Sequence, residues 1–225
     1  MDTYRTPQEN TTEAHNVSPL RTALSWIMSF IISFIMLILF FIFIGRMYYI
    51  PSGSMKDTLQ VGDQVFAEKI TYYNHNPQIG DVVIFITPEE WNIESEAPQD
   101  MFSTLVGKNH TYMIKRIVAQ GGDTVRCVDG DTSIMVNNKP VIQITVKNPP
   151  ERPIDPLVGS EACGGKYFHE IKVPEGRYFV LGDNRTNSAD SRYHLDVQNG
   201  TISEDSIVGK AQAIVLPLNR ITTDI

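Results

Sequence analysis

The sequence predicts a mostly β protein: one N-terminal transmembrane helix, then an antiparallel β domain carrying a smaller β/loop cap sub-domain. Three observations predict it. Residues 24–44 read LSWIMSFIISFIMLILFFIFI, with no charge and no proline. After residue 46 no long stretch keeps a helical period. Short alternating runs separated by Gly, Asn and Asp turns take its place.

Residues 1–23 are expected to form a short polar tail on the cytoplasmic side. About twenty helical residues rise about 30 Å, the thickness of a hydrocarbon core. Residues 24–45 are therefore expected to span a bilayer. The run is too long for the apolar core of a cleaved leader, and it ends in Gly45, Arg46 and MYYI, without a small-residue cleavage pattern. Trp26 near one end and Tyr48 and Tyr49 at the other suit the two interfaces. Arg21 and Arg46 flank both sides, so charge scarcely sets the orientation.

From 46 to 225 the strand candidates come in order. QVFAEKI follows Gly62-Asp63, DVVIFIT follows Gly80, and YMIKRIVA precedes Gly121-Gly122-Asp123. TVRCV precedes Asp129-Gly130, SIMVNNKPVIQITV holds the turn Asn137-Asn138, and GRYFVLGD and SIVGKAQAIVLP close the fold. The acidic stretch 87–110 and the Pro/Gly-rich stretch 147–169 are read as surface loops. Residues 127–169 are read as the inserted cap.

The net charge of -7 argues against nucleic acid as a partner, because phosphate binding needs a basic face. It gives no pull toward anionic lipid either, so attachment to a bilayer rests on apolar burial. The five histidines are scattered and the two cysteines, Cys127 and Cys163, form no C-x-x-C pair. No metal and no cofactor are expected. The cysteines either form one disulfide, if the domain lies outside the cytoplasm, or stay as thiols. The bridge would contribute about 3–4 kcal/mol through the entropy of the closed loop.

Three stretches could carry chemistry. In YYIPSGSMKDTLQVGD, Pro51 and Gly53 shape a turn that can present a hydroxyl beside backbone N–H groups. Ser-Gly-Ser alone is commonplace in turns. His194 and Asp196 share a loop, but nothing supports them as base and orienting partner. Lysine is the other base. On YMIKRIVA, alternation groups Lys115 with Met113 and Ile117, where it is either desolvated or snorkels to water. An ordinary lysine is neutral about once in a few thousand at pH 7. Lowering its pKa enough costs about 3–4 kcal/mol, which burial supplies and a neighbouring carboxylate undoes. The third stretch, GDNRTNSADSRYH, is dense in Asp, Asn, Ser and Arg. It is either a solvated loop or an internally paired one.

Together PSGSM..TLQVGD, GDVVIF, YMIKRIVAQGGD and GDNRTNSADSR, in this order behind a membrane helix, resemble the bacterial type I signal peptidases. Those are membrane-anchored Ser-Lys endopeptidases. The resemblance implies that Ser54 is the nucleophile, Lys115 the general base, and Ser52 part of the oxyanion hole. It implies that Ser188 orients the lysine and that Asp190 and Arg192 support the site, with Asp183 and Arg185 in the same loop. Ile50, Pro51, Met55, Leu59 and Ile114 match shallow pockets for small side chains, with Tyr48 and Met113 at the rim. It implies a disulfide between Cys127 and Cys163. It implies removal of signal peptides from exported pre-proteins after Ala-x-Ala type sites, at the bacterial cell membrane, with the bilayer and the secretion translocon as partners. Two departures are visible. Lys56-Asp57 stands where that family usually has proline, and AQGGD replaces its usual turn. LexA-like repressors share the dyad but need a DNA-binding domain where the anchor stands. A sortase would need a cysteine paired with histidine, and a β scaffold would need no neutral lysine.

Overall fold

The computed structural model describes residues 19–93, 111–141 and 153–225. The polar tail up to residue 18, most of the acidic stretch (94–110) and residues 142–152 lie outside the described residues. Helix α1 (Pro19–Phe43) is a single 25-residue helix. It starts five residues before the apolar run does, because proline suits a first helical position where no donor is needed. It is long and apolar enough to cross a membrane, and its large side chains from Leu20 to Phe40 are exposed.

Residues 42–225 form the second compact unit. Its strands in chain order are β1 (Gly45–Tyr49), β2 (Gln64–Glu68), β3 (Val82–Ile86), β4 (Tyr112–Gln120) and β5 (Thr124–Cys127). Next come β6 (Met135–Val136), β7 (Lys139–Pro140), β8 (Gly159–Ser160), β9 (Gly165–Lys166) and β10 (Phe168–Lys172). The last are β11 (Arg177–Leu181), β12 (Ile202–Ser203) and β13 (Ile207–Leu216). Strand β2 ends at Glu68, two residues short of the expected run QVFAEKI, and a one-turn helix α2 (Thr71–Asn74) follows it.

Seven strands make one antiparallel sheet in the order β1-β2-β13-β3-β4-β11-β12. A four-stranded sheet, β10-β5-β6-β7, and the pair β8-β9 make the smaller part. The four-stranded sheet runs from Thr124 to Lys172, slightly wider than the expected cap of 127–169. Strand β1 lay outside the expected set. GRMYY is short, and its aromatic residues read as interface anchors. In the structure it pairs along its whole length with β2, Gly45 opposite Glu68 through Tyr49 opposite Gln64.

The middle strands are continuous apolar runs because both faces of the large sheet are covered. On β11, Tyr178 and Val180 join Val83, Phe85, Trp91 and Ile117 on one side. Phe179 and Leu181, which alternate with them, join Val118, Ala119, Val125 and Phe168 in a cluster shared with the smaller sheet. A third cluster, Ile50, Met55, Leu59, Val65, Val82, Ala211 and Ile214, lies under the loop 50–63. Each such side chain contributes about 1.5–3 kcal/mol when fully buried. These clusters fix the three segments that meet at Ser54.

Candidate active site

The loop 50–63 leaves β1 and returns to β2. It holds a single 3-10 turn, Gly53–Met55, with Ser54 and Met55 buried. Lys115 lies in the middle of β4, opposite Val83 of β3. Its side chain is 2% exposed, and its Nζ donates to Ser54 Oγ at 2.7 Å and to the Ile114 carbonyl at 2.9 Å. Desolvation pushes the Lys115 ammonium down to about 8. Asp190 and Asp183 pull it back up, and Arg192 pushes it down.

A nearby carboxylate ordinarily undoes such a shift. Two are nearby, and burial still prevails, because each carboxylate is bound to its own guanidinium. Arg116 binds Asp183 through Nε (2.9 Å) and Nη2 (2.8 Å). Arg192 binds Asp190 through Nε (2.8 Å) and Nη2 (2.9 Å). Burial alone would raise the Asp190 carboxyl, but the Arg192 charge and hydrogen bonds hold it below the ordinary range.

The loop 182–192 grips the serine turn directly. Asn184 N–H donates to Ser54 O (3.0 Å) and its Nδ2 to Gly53 O (3.1 Å). Asp183 N–H points at Met55 Sδ (3.5 Å), and Thr58 Oγ1 donates to Asp183 Oδ2 (2.6 Å). Gly182 makes this approach possible: a Cβ there would collide with Ser188 Oγ and crowd the Ser54 carbonyl oxygen. Gly182 N–H also donates to Asp190 Oδ2 at 3.0 Å. The density of Asp, Asn and Arg in GDNRTNSADSR is thus internal pairing, not a solvated surface.

The other expected residues fall in different places. Ser52 Oγ lies 3.4 Å from Ser54 Oγ, beside the nucleophile position but in a weak contact. Ser188 is buried against Gly182 within electrostatic reach of Asp190, yet its Oγ has no partner at hydrogen-bond geometry among the described residues. It does not bond the lysine, whose second contact is the Ile114 carbonyl. Ile50, Met55 and Leu59 are 2%, 0% and 0% exposed, so they form the core beneath the turn, not the wall of an open pocket. Ile114 packs half-buried against them. Pro51 is half-buried; Met113 packs on the Phe85 and Trp91 cluster. Tyr48 meets Tyr112 edge to face at 5.9 Å. His194 stacks flat on Trp91 at 4.3 Å, far from the role of a base. Cys127 and Cys163 are joined in a disulfide.

Arg116, Thr58 and Asn184 were not singled out from sequence. Arg116 alternates with Lys115 on β4, so its face gave no hint of a shared site. Thr58 and Asn184 sit inside motifs whose serines drew the attention.

This arrangement can activate an alcohol: a buried amine of lowered pKa touches a hydroxyl on a turn with adjacent N–H groups. A family model described as "Signal peptidase, peptidase S26" matches residues 23–216. A probable signal peptidase I of Mycobacterium leprae is 36% identical over 210 residues, covering 79% of this chain and 71% of that protein. Signal peptidase I of Mycobacterium tuberculosis is 35% identical, covering 79% and 67%. Signal peptidase I T of Bacillus subtilis is 32% identical over 216 residues, covering 95% and 96%.

Proposed function

The chain belongs to the signal peptidases of the peptidase S26 family, and from that premise we propose that Ser54 is its nucleophile and Lys115 its general base. It is a serine peptidase that removes signal peptides from exported pre-proteins, with an apolar helix long enough to anchor it in a membrane. The observation that carries the residue assignment is the 2.7 Å contact between Lys115 Nζ and Ser54 Oγ, in a place where the lysine is 2% exposed.

The steps follow from that contact. The amine sheds its proton, then accepts the Ser54 hydroxyl proton as Oγ attacks the scissile carbonyl. The Ser54 N–H and the Ser52 hydroxyl face the developing oxyanion. Lys115 hands its proton to the leaving amine, and an acyl-enzyme remains. The mature chain departs as that amine, leaving the signal fragment esterified to Ser54. Lys115 then takes a proton from water, the hydroxide attacks the ester, and the proton returns to Ser54 Oγ as the signal fragment leaves with a free carboxylate. Asp190 and Arg192 hold the loop that grips the turn, and Ser188 contributes from beside it. The substrate lies extended against the sheet, with Tyr48, Pro51, Met113 and Ile114 about its small side chains, after an Ala-x-Ala type sequence. Ser54 follows the end of the helix by about ten residues, a reach of about 35 Å at most, which suits cutting close to a bilayer.

The residues from 46 onward lie on the outer side of the bacterial cell membrane in this reading, with the tail before the helix inside. The disulfide supports it, since such bonds persist in oxidising compartments. Cleavage of a signal-bearing pre-protein by wild type, Ser54→Ala and Lys115→Ala across pH tests the dyad. Both variants are expected to be inactive; full cleavage by either overturns it. Protease access to the C-terminal side in intact cells tests the orientation.

A further inference from the structure

The grip of the 182–192 loop is only one of two clamps on the serine loop. The other lies at its base, in residues that none of the signature stretches includes as a pair. Asp63 closes the loop. Its carbonyl accepts from Ile50 N–H (2.9 Å), Gly62 N–H donates to Ile50 O (2.9 Å), and Asp63 N–H donates to Gln60 O (3.1 Å). Its carboxylate is 1% exposed and accepts from Gln60 N–H at 2.8 Å. The remaining valence goes to Arg220, whose Nε (2.8 Å) and Nη2 (2.9 Å) bind it as a fork.

Arg220 is brought there by the fold. Strand β13 ends at Leu216, opposite Gln64 of β2. The short turn Leu218–Arg220 follows, and the chain is pinned back by the Ile214–Thr222 bridge. Ile225 then packs, half-buried, against the apolar cluster that includes Ile50, Met55 and Leu59 of the serine loop. A cleft of about 520 Å³ is lined by Thr58 and Arg116 of the first clamp and by Arg220 and Thr222 of the second. Neither Ser54 nor Lys115 lines it. Both clamps border this cleft, and both hold the loop 50–63.

We propose that Arg220 is a positioning residue for peptide cleavage, setting through Asp63 the register of Ser54 against Lys115. The inference rests on the assignment of those two as nucleophile and base. An exposed ion pair contributes little. This one differs because its carboxylate is buried and bidentate, so removing the guanidinium leaves an unpaired charge at the loop's anchor. The loop relaxes, and displacement of a reacting atom by an ångström is enough to cost far more in rate than in binding.

The test uses the full chain in detergent and a peptide spanning a signal-peptide cleavage site, with kcat and KM measured on protein shown to be folded by its melting curve. Arg220→Met is expected to lower kcat about tenfold with KM within twofold, and Arg220→Lys, which keeps the charge but loses the fork, to lie between it and wild type. Wild-type kcat in folded Arg220→Met overturns the proposal, as does a loss that vanishes once rates are divided by the folded fraction. If Arg220→Met does not fold, Arg220→Lys decides: a two- to fivefold fall in kcat supports the proposal, and an unchanged kcat overturns it. Ser54→Ala is run alongside. An active Ser54→Ala defeats the nucleophile assignment itself, whereas an inactive one beside a fully active Arg220→Met defeats only the role of Arg220.

Discussion

The seven-stranded sheet and the four-stranded sheet are held together by different means. The large sheet gathers three segments distant in sequence, the loop 50–63, strand β4 and the loop 182–192, through polar contacts between buried groups. The small sheet is built of strands as short as two residues and is closed by the Cys127–Cys163 disulfide. Both share one apolar cluster, and Arg192 joins them: its Nη1 donates to the Cys163 and Gly164 carbonyls (2.8 Å each) while its other edge grips Asp190. The difference teaches where tolerance lies. Chemistry sits where geometry is set by several interlocking hydrogen bonds, and the small sheet keeps its shape by a covalent tie and a shared core.

The largest effect should come from the dyad. Lys115→Met is expected to lower kcat by at least about 10³-fold and yet to raise stability. The sign follows from linkage. The folded pKa of about 8 lies below the ordinary lysine value, so the folded state binds fewer protons than the unfolded state between those two values. Stability rises with pH through that window, and below it the full penalty of about 3 kcal/mol is present. Replacing the amine by an apolar chain of similar length removes that penalty at neutral pH. Denaturant melts at pH 7 check this; a less stable Lys115→Met would break the contrast between the two sheets. The wild-type rate should climb as pH rises through about 8, as the amine loses its proton.

Asp190→Asn ranks next. It removes a carboxylate that is 0% exposed and strands the buried Arg192, so a loss of about 3–5 kcal/mol in stability and about 10- to 100-fold in kcat is expected. The same change removes one influence that raises Lys115, so the acid limb of the rate profile should move to lower pH. A purely structural role for Asp190 would leave that limb in place. In wild type, the depressed Asp190 carboxyl contributes stability that is present above its unfolded pKa and is lost as pH falls through its lower folded pKa.

The disulfide should matter for stability and little for rate. Cys127→Ser with Cys163→Ser closes no loop and is expected to cost about 3–4 kcal/mol, with kcat within a few-fold of wild type in the folded protein. A large fall in kcat would show that Arg192 transmits strain from the small sheet, and would sharpen the comparison by giving the two sheets one mechanical unit.

Much of this was legible in the sequence, for physical reasons. Alternation and continuous apolar runs mark β3, β4, β11 and β13, because buried faces demand them. Lys115 stands out as a charge on such a run. Strand β1 did not stand out, since GRMYY is short and its exposed Met47 and Tyr49 carry no inward pattern. The order of strands, and the meeting of Thr58 with Asp183 or Arg220 with Asp63, depend on contacts across more than 100 positions, which no local pattern encodes. Met55 and Leu59, expected to line small pockets, are buried in the core, and their apolar character suits either place.

The smallest effect should come from Asp57, where the family's usual proline is missing. Asp57 has φ of 86°, in the left-handed region. Proline is locked near -65° and could not follow the same path, so the departure visible in the sequence reflects a different local backbone, not a neutral exchange. Aspartate tolerates this region at a modest cost and glycine at none. Asp57→Gly should therefore change stability by less than about 1 kcal/mol, the strain relieved being offset by the larger entropy of the unfolded chain. Asp57→Pro should destabilise by more than that and lower kcat, because Thr58, the next residue, holds Asp183. Melting curves and kcat for the pair check this. If Asp57→Pro behaves like wild type, the turn carrying Ser54 tolerates a change of path after all, and the loop is less tightly held than its two clamps require.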